Sequence, residues 1–398
     1  MGHRSLQCLG CMTFTLTSML THTTTAMNPL EHQIHYPLGD VLPPEGGAIT
    51  VAPGVKWIRM GLPFALDHIN LWLLRDRQPD VHGTLVEGWT VVDCCIDSPS
   101  TRAQWEQVFA SSLEGLPILR VIVTHMHPDH IGLAHWLCER WNVTLWISAT
   151  DYQVARVAVY DRNGFGGEAG ADFYTLHGMQ DGEFLQHVRG RASYFPTLVP
   201  ALPPRFRRLM DGDLLEIGGR VWQCISGYGH APEHIALYCA ELSALISGDM
   251  VLPRISTNVS VHASEPESNP LRLFLTSLLR YLVLPEETLA LPSHGKPFQG
   301  LHERIRQLQS HHQDRLNEIL VAAKQGSLSA FDVLPIMFKR KLDAHQMTFA
   351  MGEALAHLHW LWFEGRLQRI WDANGVHRFQ LAQGSTKGSR EGAVQIAE

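Results

Sequence analysis

The spacing of apolar positions changes period several times along the chain, and each change marks an element. From Ile49 to about Thr90 the runs "AITVAPGVKWIRM", "INLWLLRD" and "GTLVEGWTVVDCCID" alternate with turn residues, the pattern of early, half-buried strands. The Gly88-Trp89 step inside the last run predicts a hairpin there. "TRAQWEQVFASSLEGL" switches to helical spacing, with Trp105, Val108, Phe109 and Leu113 on one face. "PILRVIVTH" then reads as a buried strand, "LAHWLCERW" as a helix and "VTLWIS" as another strand. Strand and helix in alternation predict a layered α/β domain.

Residues 151–204 break that rhythm. A helix from Asp151 to Tyr160 leads into glycine-rich "NGFGGEAG", then "FYTLHGM" and proline-rich "FPTLVPALPP". This segment reads as an insertion, a lid or pocket wall over the sheet. Strands resume with "GRVWQCIS", "IALYCA" and "ALIS". After about Gly300 the pattern turns helical: "ERIRQLQSHHQDRLNEILVAAKQ", "SAFDVLPIMFKRK" and "FAMGEALAHLHWLWFEG". Two alternating runs joined at Asn374-Gly375 follow, a hairpin signal. Three helices and a hairpin describe a winged-helix-like module over 301–382, following a domain over 28–300. The tail 383–398 is polar and expected to be disordered. Residues 1–27 form an extension that is faintly signal-like but interrupted by threonines. It is expected to be disordered, or to precede a true start at Met27.

Composition adds one point. Of 398 residues, 45% are apolar and 18% charged, enough to build a core, and the net charge of -7 argues against a large nucleic-acid footprint. Histidine is abundant, with 23 residues, which directs attention to metal binding. The seven cysteines are an odd number at irregular spacing, so they do not form a disulfide framework and a reducing cytoplasm is the expected setting. No stretch after the extension is apolar for long enough to span a bilayer.

The stretch "VTHMHPDHIG" places His125, His127, Asp129 and His130 at the end of a strand. Residues two apart in extended chain project to one side, and Pro128 keeps His127 extended. Later strand ends supply His230 in "SGYGHAPEH", Asp249 in "ISGDM" and His294 in "PSHG", each beside a glycine that permits close backbone approach. Imidazoles with carboxylates suit zinc, and manganese or iron are compatible.

This HxHxDH motif, followed by single His, Asp and His residues in order, resembles the metallo-β-lactamase superfamily over Gly46 to Gly300. The resemblance implies an α/β fold, a four-layer αβ/βα sandwich. It also implies two divalent metal ions per chain: His125, His127 and His230 on one, Asp129, His130 and His294 on the other, and Asp249 bridging. Asp129 in the motif distinguishes this set from that of the true lactamases. The implied activity is hydrolysis by a metal-bridging hydroxide, with Asp129 orienting or shuttling the proton. Asp93 in "VVDCCID" lies where the superfamily has an aspartate that can hold a ligand histidine, although Cys94 stands where threonine is usual; a simple turn aspartate is the other reading. His234 either supports the ligands or is an ordinary polar residue.

The C-terminal module resembles the branch with a winged-helix domain, which includes glyoxalase II-like and thioester-type hydrolases and an endoribonuclease. Two substrates therefore compete. One is a small ester, thioester or lactone in a pocket lined by Tyr160, Phe165, Phe173, Tyr174 and His177. The other is single-stranded RNA, gripped by the mixed-charge module, which carries Lys339, Arg340, Lys341, Arg366, Arg369 and Arg378. The aromatic insertion favours the acyl substrate. A non-catalytic nucleic-acid-binding regulator is a third reading, opposed by the complete ligand set and the negative charge. The module is expected to serve packing or homodimerisation, since "LAHLHWLWF" is too apolar to stay exposed.

Overall fold

In a computed structural model, residues 28–80, 82–160 and 166–382 are described; the extension 1–27, Phe165 and the tail 383–398 lie outside them. The first sheet runs in chain order: β1 (Ala48–Ala52), β2 (Val55–Gly61), β3 (His68–Pro79), β4 (Leu85–Val92), β5 (Ile118–Ile122), β6 (Leu145–Ser148) and β7 (Phe206–Leu209). Its first four strands pair antiparallel and β4 to β7 pair parallel. The second sheet holds β8 (Leu214–Ile217), β9 (Arg220–Gly227), β10 (His234–Cys239), β11 (Ala244–Gly248) and β12 (Leu289–Pro292), in the order β12-β11-β10-β9-β8.

Side-chain alternation sorts these strands into layers. Trp57, Trp72 and Leu74 point between the sheets, where they meet Trp222, Ile235, Leu237 and Ile246. Their neighbours Ile58, Leu71 and Leu73 point outward, against Trp105 and Val108 of helix Pro99–Ser112 and Leu137 of helix Ala134–Trp141. On the outer side of the second sheet, Ala236, Tyr238 and Leu245 pack with Phe274 and Leu278 of helix Pro270–Leu279 and with Ile305 and Leu308 of helix Leu301–Ala323. Strands buried on both faces must be apolar throughout, and every residue of β10 is buried. The result is the expected four-layer sandwich, helix on sheet on sheet on helix.

The C-terminal region consists of helices Leu301–Ala323, Ala330–Met337 and Ala344–Phe363 and the hairpin β13 (Leu367–Trp371) and β14 (His377–Leu381). Gly375 at its turn has φ 75°, as the Asn-Gly pair requires. Leu355, Leu358 and Leu361 are fully buried in the same core as the outer helices, so most of the "LAHLHWLWF" stretch is covered within the chain, with Phe363 left exposed. Among the described residues, no helix is long and apolar enough to cross a membrane.

One expectation is overturned. Gly88 lies in the middle of β4, with no hairpin at Gly88-Trp89; the chain reverses before Thr84, where the Asp80 carboxylate accepts from the His82 and Thr84 N–H groups. Gly88 is there for space. A Cβ at this position would press on the Pro117 carbonyl and come within 2.6 Å of Leu119 Cγ. Gly88→Ala is therefore expected to destabilise the fold by about 2 kcal/mol through overpacking, measurable by urea denaturation; unchanged stability would show that the 117–119 segment yields freely.

Candidate metal centre

Parallel strands deliver the functional side chains to one end of the sandwich. β4 ends at Val92, just before Asp93, and β5 runs into Thr124 and His125. His127 is extended (φ -62°, ψ 149°) and Pro128 starts the one-turn helix Pro128–Ile131 that carries Asp129 and His130. In the second sheet β9, β11 and β12 run in the same direction and are followed by His230, Asp249 and His294.

These residues converge. His125 Nε2, His127 Nδ1 and His230 Nε2 form a triangle with edges of 2.9, 3.1 and 3.2 Å. Three ring nitrogens facing one point at that spacing match the edges of a tetrahedral ion with bonds of about 2.0–2.1 Å. Next to it, His294 Nε2 lies 3.4 Å from Asp129 Oδ2 and 3.4 Å from Asp249 Oδ1, and His130 Nε2 lies 3.6 Å from Asp249 Oδ1 and 3.7 Å from Asp129 Oδ2. The other oxygen of Asp249, Oδ2, is 3.2 Å from His230 Nε2. Asp249 thus offers one oxygen to each group. His130 Nε2 and Asp249 Oδ1 are buried with no hydrogen-bond partner, the condition of ligand atoms that serve a cation.

Outer contacts set which nitrogen each ring presents. His230 Nδ1–H donates to the Asn258 carbonyl (2.8 Å) and His294 Nδ1–H to the His68 carbonyl (2.7 Å), so that Nε2 is the atom each ring turns toward the centre. His130 Nδ1–H donates to Asp93 Oδ2 at 2.8 Å. His125 Nδ1–H donates to the Thr124 hydroxyl, which itself donates to Asp93. Burial and the crowding of neighbouring imidazoles hold His125 and His127 well below the usual histidine range, so they present neutral lone pairs. Burial disfavours charge at His130 and His294 too. The carboxylates of Asp93, Asp129 and Asp249 outweigh it at His130 and raise it to about 9, and those of Asp249 and Asp129 raise His294 to about 10. The carboxylates draw positive charge into this half of the site, which suits the donor set to divalent ions.

The structure brings together all seven sequence-derived ligand candidates. Asp93 sits where a ligand histidine needs it, in a left-handed conformation (φ 64°) that aims its carboxylate at Thr124 and His130. His234 is buried against the centre: its Nε2 accepts from the Asp249 N–H at 3.3 Å, and a Cβ at Gly248 would run into its ring. The insertion residues are elsewhere. Phe173 and His177 are buried in mutual packing, with His177 against His377 of the hairpin. Tyr174 bonds the Thr348 carbonyl and Tyr160 is 70% exposed. The cavity beside the centre, of about 500 Å3, is lined by none of them; the insertion contributes His187, Arg191 and Tyr194 instead. The reason is that helix Gly167–Leu176 turns its aromatic side into the core shared with the C-terminal helices.

Asp151 was not anticipated. Its carboxylate accepts from the Met126 N–H (2.8 Å) and the Glu233 N–H (2.6 Å), tying the His125–His127 segment to the His230 loop. Burial pushes its carboxyl up to about 6 in spite of these bonds. The signal was present: Ser148 and Asp151 form an S-x-x-D pair at the start of helix Ala149–Tyr160.

An αβ/βα sandwich with histidines and aspartates gathered at its strand ends defines a class of metal-dependent hydrolases. Residues 80–294 match the metallo-beta-lactamase superfamily and residues 316–382 match the metallo-beta-lactamase-like C-terminal domain. The chain belongs to the metallo-beta-lactamase superfamily. It is similar to a solved beta-lactamase domain protein from Burkholderia ambifaria, with 53% identity, a TM-score of 0.83 and coverage of 89% of this chain and 100% of that one. It also resembles the probable metallo-hydrolase YqjP of Bacillus subtilis, 25% identical over 80% of this chain and 96% of that protein. The human acyl-coenzyme A thioesterase MBLAC2 is 27% identical over 56% of this chain and 68% of its own length.

Proposed function

We propose that the chain is a dinuclear hydrolase of acyl esters, thioesters or lactones, with a thioester the favoured substrate. The observation that supports two ions is the division of Asp249, with Oδ2 toward the His125, His127 and His230 nitrogens and Oδ1 toward His130 and His294. His125, His127 and His230 would hold one ion, Asp129, His130 and His294 the other, and Asp249 would face both. Zinc suits this set best, with manganese and iron as compatible alternatives. Such a pair, when bound, supplies a nucleophile from water at neutral pH and polarises the acyl oxygen.

The chain's own residues do the rest. Asp129, held down to about 2 against the opposing effect of burial by His130 and His294, stays ionised: Oδ2 would face the ion with those two rings, which leaves Oδ1 to orient or accept a proton. Among the described residues no thiol beside the centre competes as nucleophile, because Cys94 and Cys95 are buried and their pKa values are raised by that burial. Among the described residues all five cysteines are free and buried, which supports a reducing cytoplasm. The thioester preference rests on the MBLAC2 likeness and on the open cleft of about 500 Å3 beside the centre. The RNA reading loses support because Arg369 and Arg378 of the C-terminal hairpin are paired with Glu267 and Asp332. A winged-helix module that packs against the catalytic layers, and does not bind nucleic acid, fits that pairing.

Elemental analysis of the purified protein is expected to find about two divalent ions per chain. Hydrolysis of an acyl thioester should stop on chelation and return with added metal. Cleavage of single-stranded RNA without any acyl turnover would replace this reading by the nuclease one.

A further inference from the structure

The cavity beside the metal centre is formed where three parts of the chain meet. Phe64 comes from the loop between β2 and β3, Arg191 and Tyr194 from the insertion, and Asp343 and His345 from the start of helix Ala344–Phe363. It lies close to the metal centre: the short helix Tyr194–Leu198 packs against the Pro128–Ile131 turn that carries Asp129, and the Phe64 loop leads into His68, whose carbonyl orients His294.

Arg191 is unusual within it. Its Nη1 donates to His345 Nδ1 (3.1 Å) and to the Thr348 hydroxyl (3.4 Å), and its guanidinium stacks 4.2 Å above the Tyr194 ring. All these partners are neutral: His345 accepts at Nδ1, and burial keeps it below the usual histidine pKa. The Arg191 Nε is buried and has no hydrogen-bond partner. Among the described residues no carboxylate is paired with this arginine. Asp343, the acidic residue of the lining, spends Oδ1 on the Gln346 N–H as the cap of its helix. A half-buried cation normally has an anion beside it, because desolvated charge is costly when unpaired. A guanidinium held flat by stacking is also a preorganised fork for carboxylate or phosphate oxygens.

We propose that this cavity binds an oxyanionic group of the substrate, a carboxylate or a phosphate carried on the acyl or the thiol side of the scissile bond, with Arg191 as its binding cation and Phe64 and Tyr194 flanking the connecting chain. This rests on the acyl-hydrolase reading of the metal centre and adds the substrate's charge to it. His345, with its proton on Nε2, is a second donor on the same wall.

The test compares three thioesters on the metal-loaded protein: neutral butyryl-N-acetylcysteamine, glutaryl-N-acetylcysteamine with a carboxylate on the acyl side, and butyryl-coenzyme A with phosphates on the thiol side. In Arg191→Gln the ratio of kcat/KM for an anionic substrate over the neutral one is expected to fall about ten- to a hundred-fold, the size of one charge-assisted hydrogen bond, chiefly through KM. Arg191→Lys should recover part of it. Whichever anionic substrate loses its advantage identifies the side that carries the anion. Equal losses on charged and neutral substrates would overturn the proposal and leave the hydrolase reading intact. If the wild type hydrolyses none of the three, calorimetric titration with glutarate and with coenzyme A decides separately. Binding weakened at least ten-fold by Arg191→Gln would keep the anion site while the thioester reading falls, and binding indifferent to the substitution would sink both.

Discussion

Asp129→Ala is expected to lower kcat by about three orders of magnitude while leaving the fold intact. The side chain is 19% exposed, and the partners of its carboxylate are the His130 and His294 rings at 3.7 and 3.4 Å. Removing it deletes one oxygen donor of the second ion group and the carboxylate proposed to handle the proton, and general acid–base groups alone contribute about 10²–10⁴-fold. The metal-free protein should stay folded at a modest cost in stability: His130 and His294, which hold the Asp129 carboxyl down to about 2, lose an anionic partner, and this outweighs the relief of repulsion between Asp129 and Asp249. Single-turnover kinetics should therefore show the loss in the chemical step, metal analysis should show the second ion depleted, and urea denaturation of the chelated variant should give a cooperative transition at a midpoint somewhat below wild type. A variant with unchanged kcat would remove Asp129 from the mechanism.

What could be read from the sequence was whatever sits at a strand end. His125, His127, His230, Asp249 and His294 follow apolar runs directly, and a strand delivers the residue after it to a known edge of the sheet. That the domain is layered was legible from the alternation of strand and helix, whereas the four-layer order came from the family resemblance, because a run such as "INLWLLRD" is buried on both faces and does not alternate. What failed depended on contacts distant in sequence. Gly88 looks like a turn until Pro117 and Leu119 are placed against it. Asp151 reads as a helix start, and its role appears only when the Glu233 N–H, 82 residues away, reaches its carboxylate. The aromatic residues of the insertion suggested a pocket wall, but the C-terminal helices offered Phe173 and Tyr174 a larger apolar surface than a cleft would. Arg191, which lines the actual cavity, carries no local pattern that separates it from a solvated surface arginine.

Asp93 provides the second large effect, because one carboxylate serves both stability and metal binding. It is buried and accepts from the Thr124 N–H (2.8 Å), the Thr124 hydroxyl (2.9 Å) and His130 Nδ1–H (2.8 Å). Asp93→Ala strands the Thr124 amide and the His130 ring proton in a buried site and puts alanine at φ 64°. The expected cost is about 4 kcal/mol, together with a ten- to hundred-fold loss of metal affinity. Asp93→Asn separates the two roles. Asparagine tolerates the left-handed backbone and keeps an oxygen for the Thr124 amide, so most of the stability should survive in denaturation experiments. Its NH2 group, however, faces His130 Nδ1 and demands an acceptor there. The ring must then carry its proton on Nε2, the atom that faces Asp129 and Asp249, and a protonated nitrogen cannot ligate. Asp93→Asn should therefore fold nearly as well as wild type yet retain about one ion in place of two, with kcat reduced accordingly. Full binding of both ions by the asparagine variant would mean that His130 is held in register by something other than Asp93. The contrast between the two substitutions is the informative result: alanine loses fold and metal together, whereas asparagine loses the metal alone.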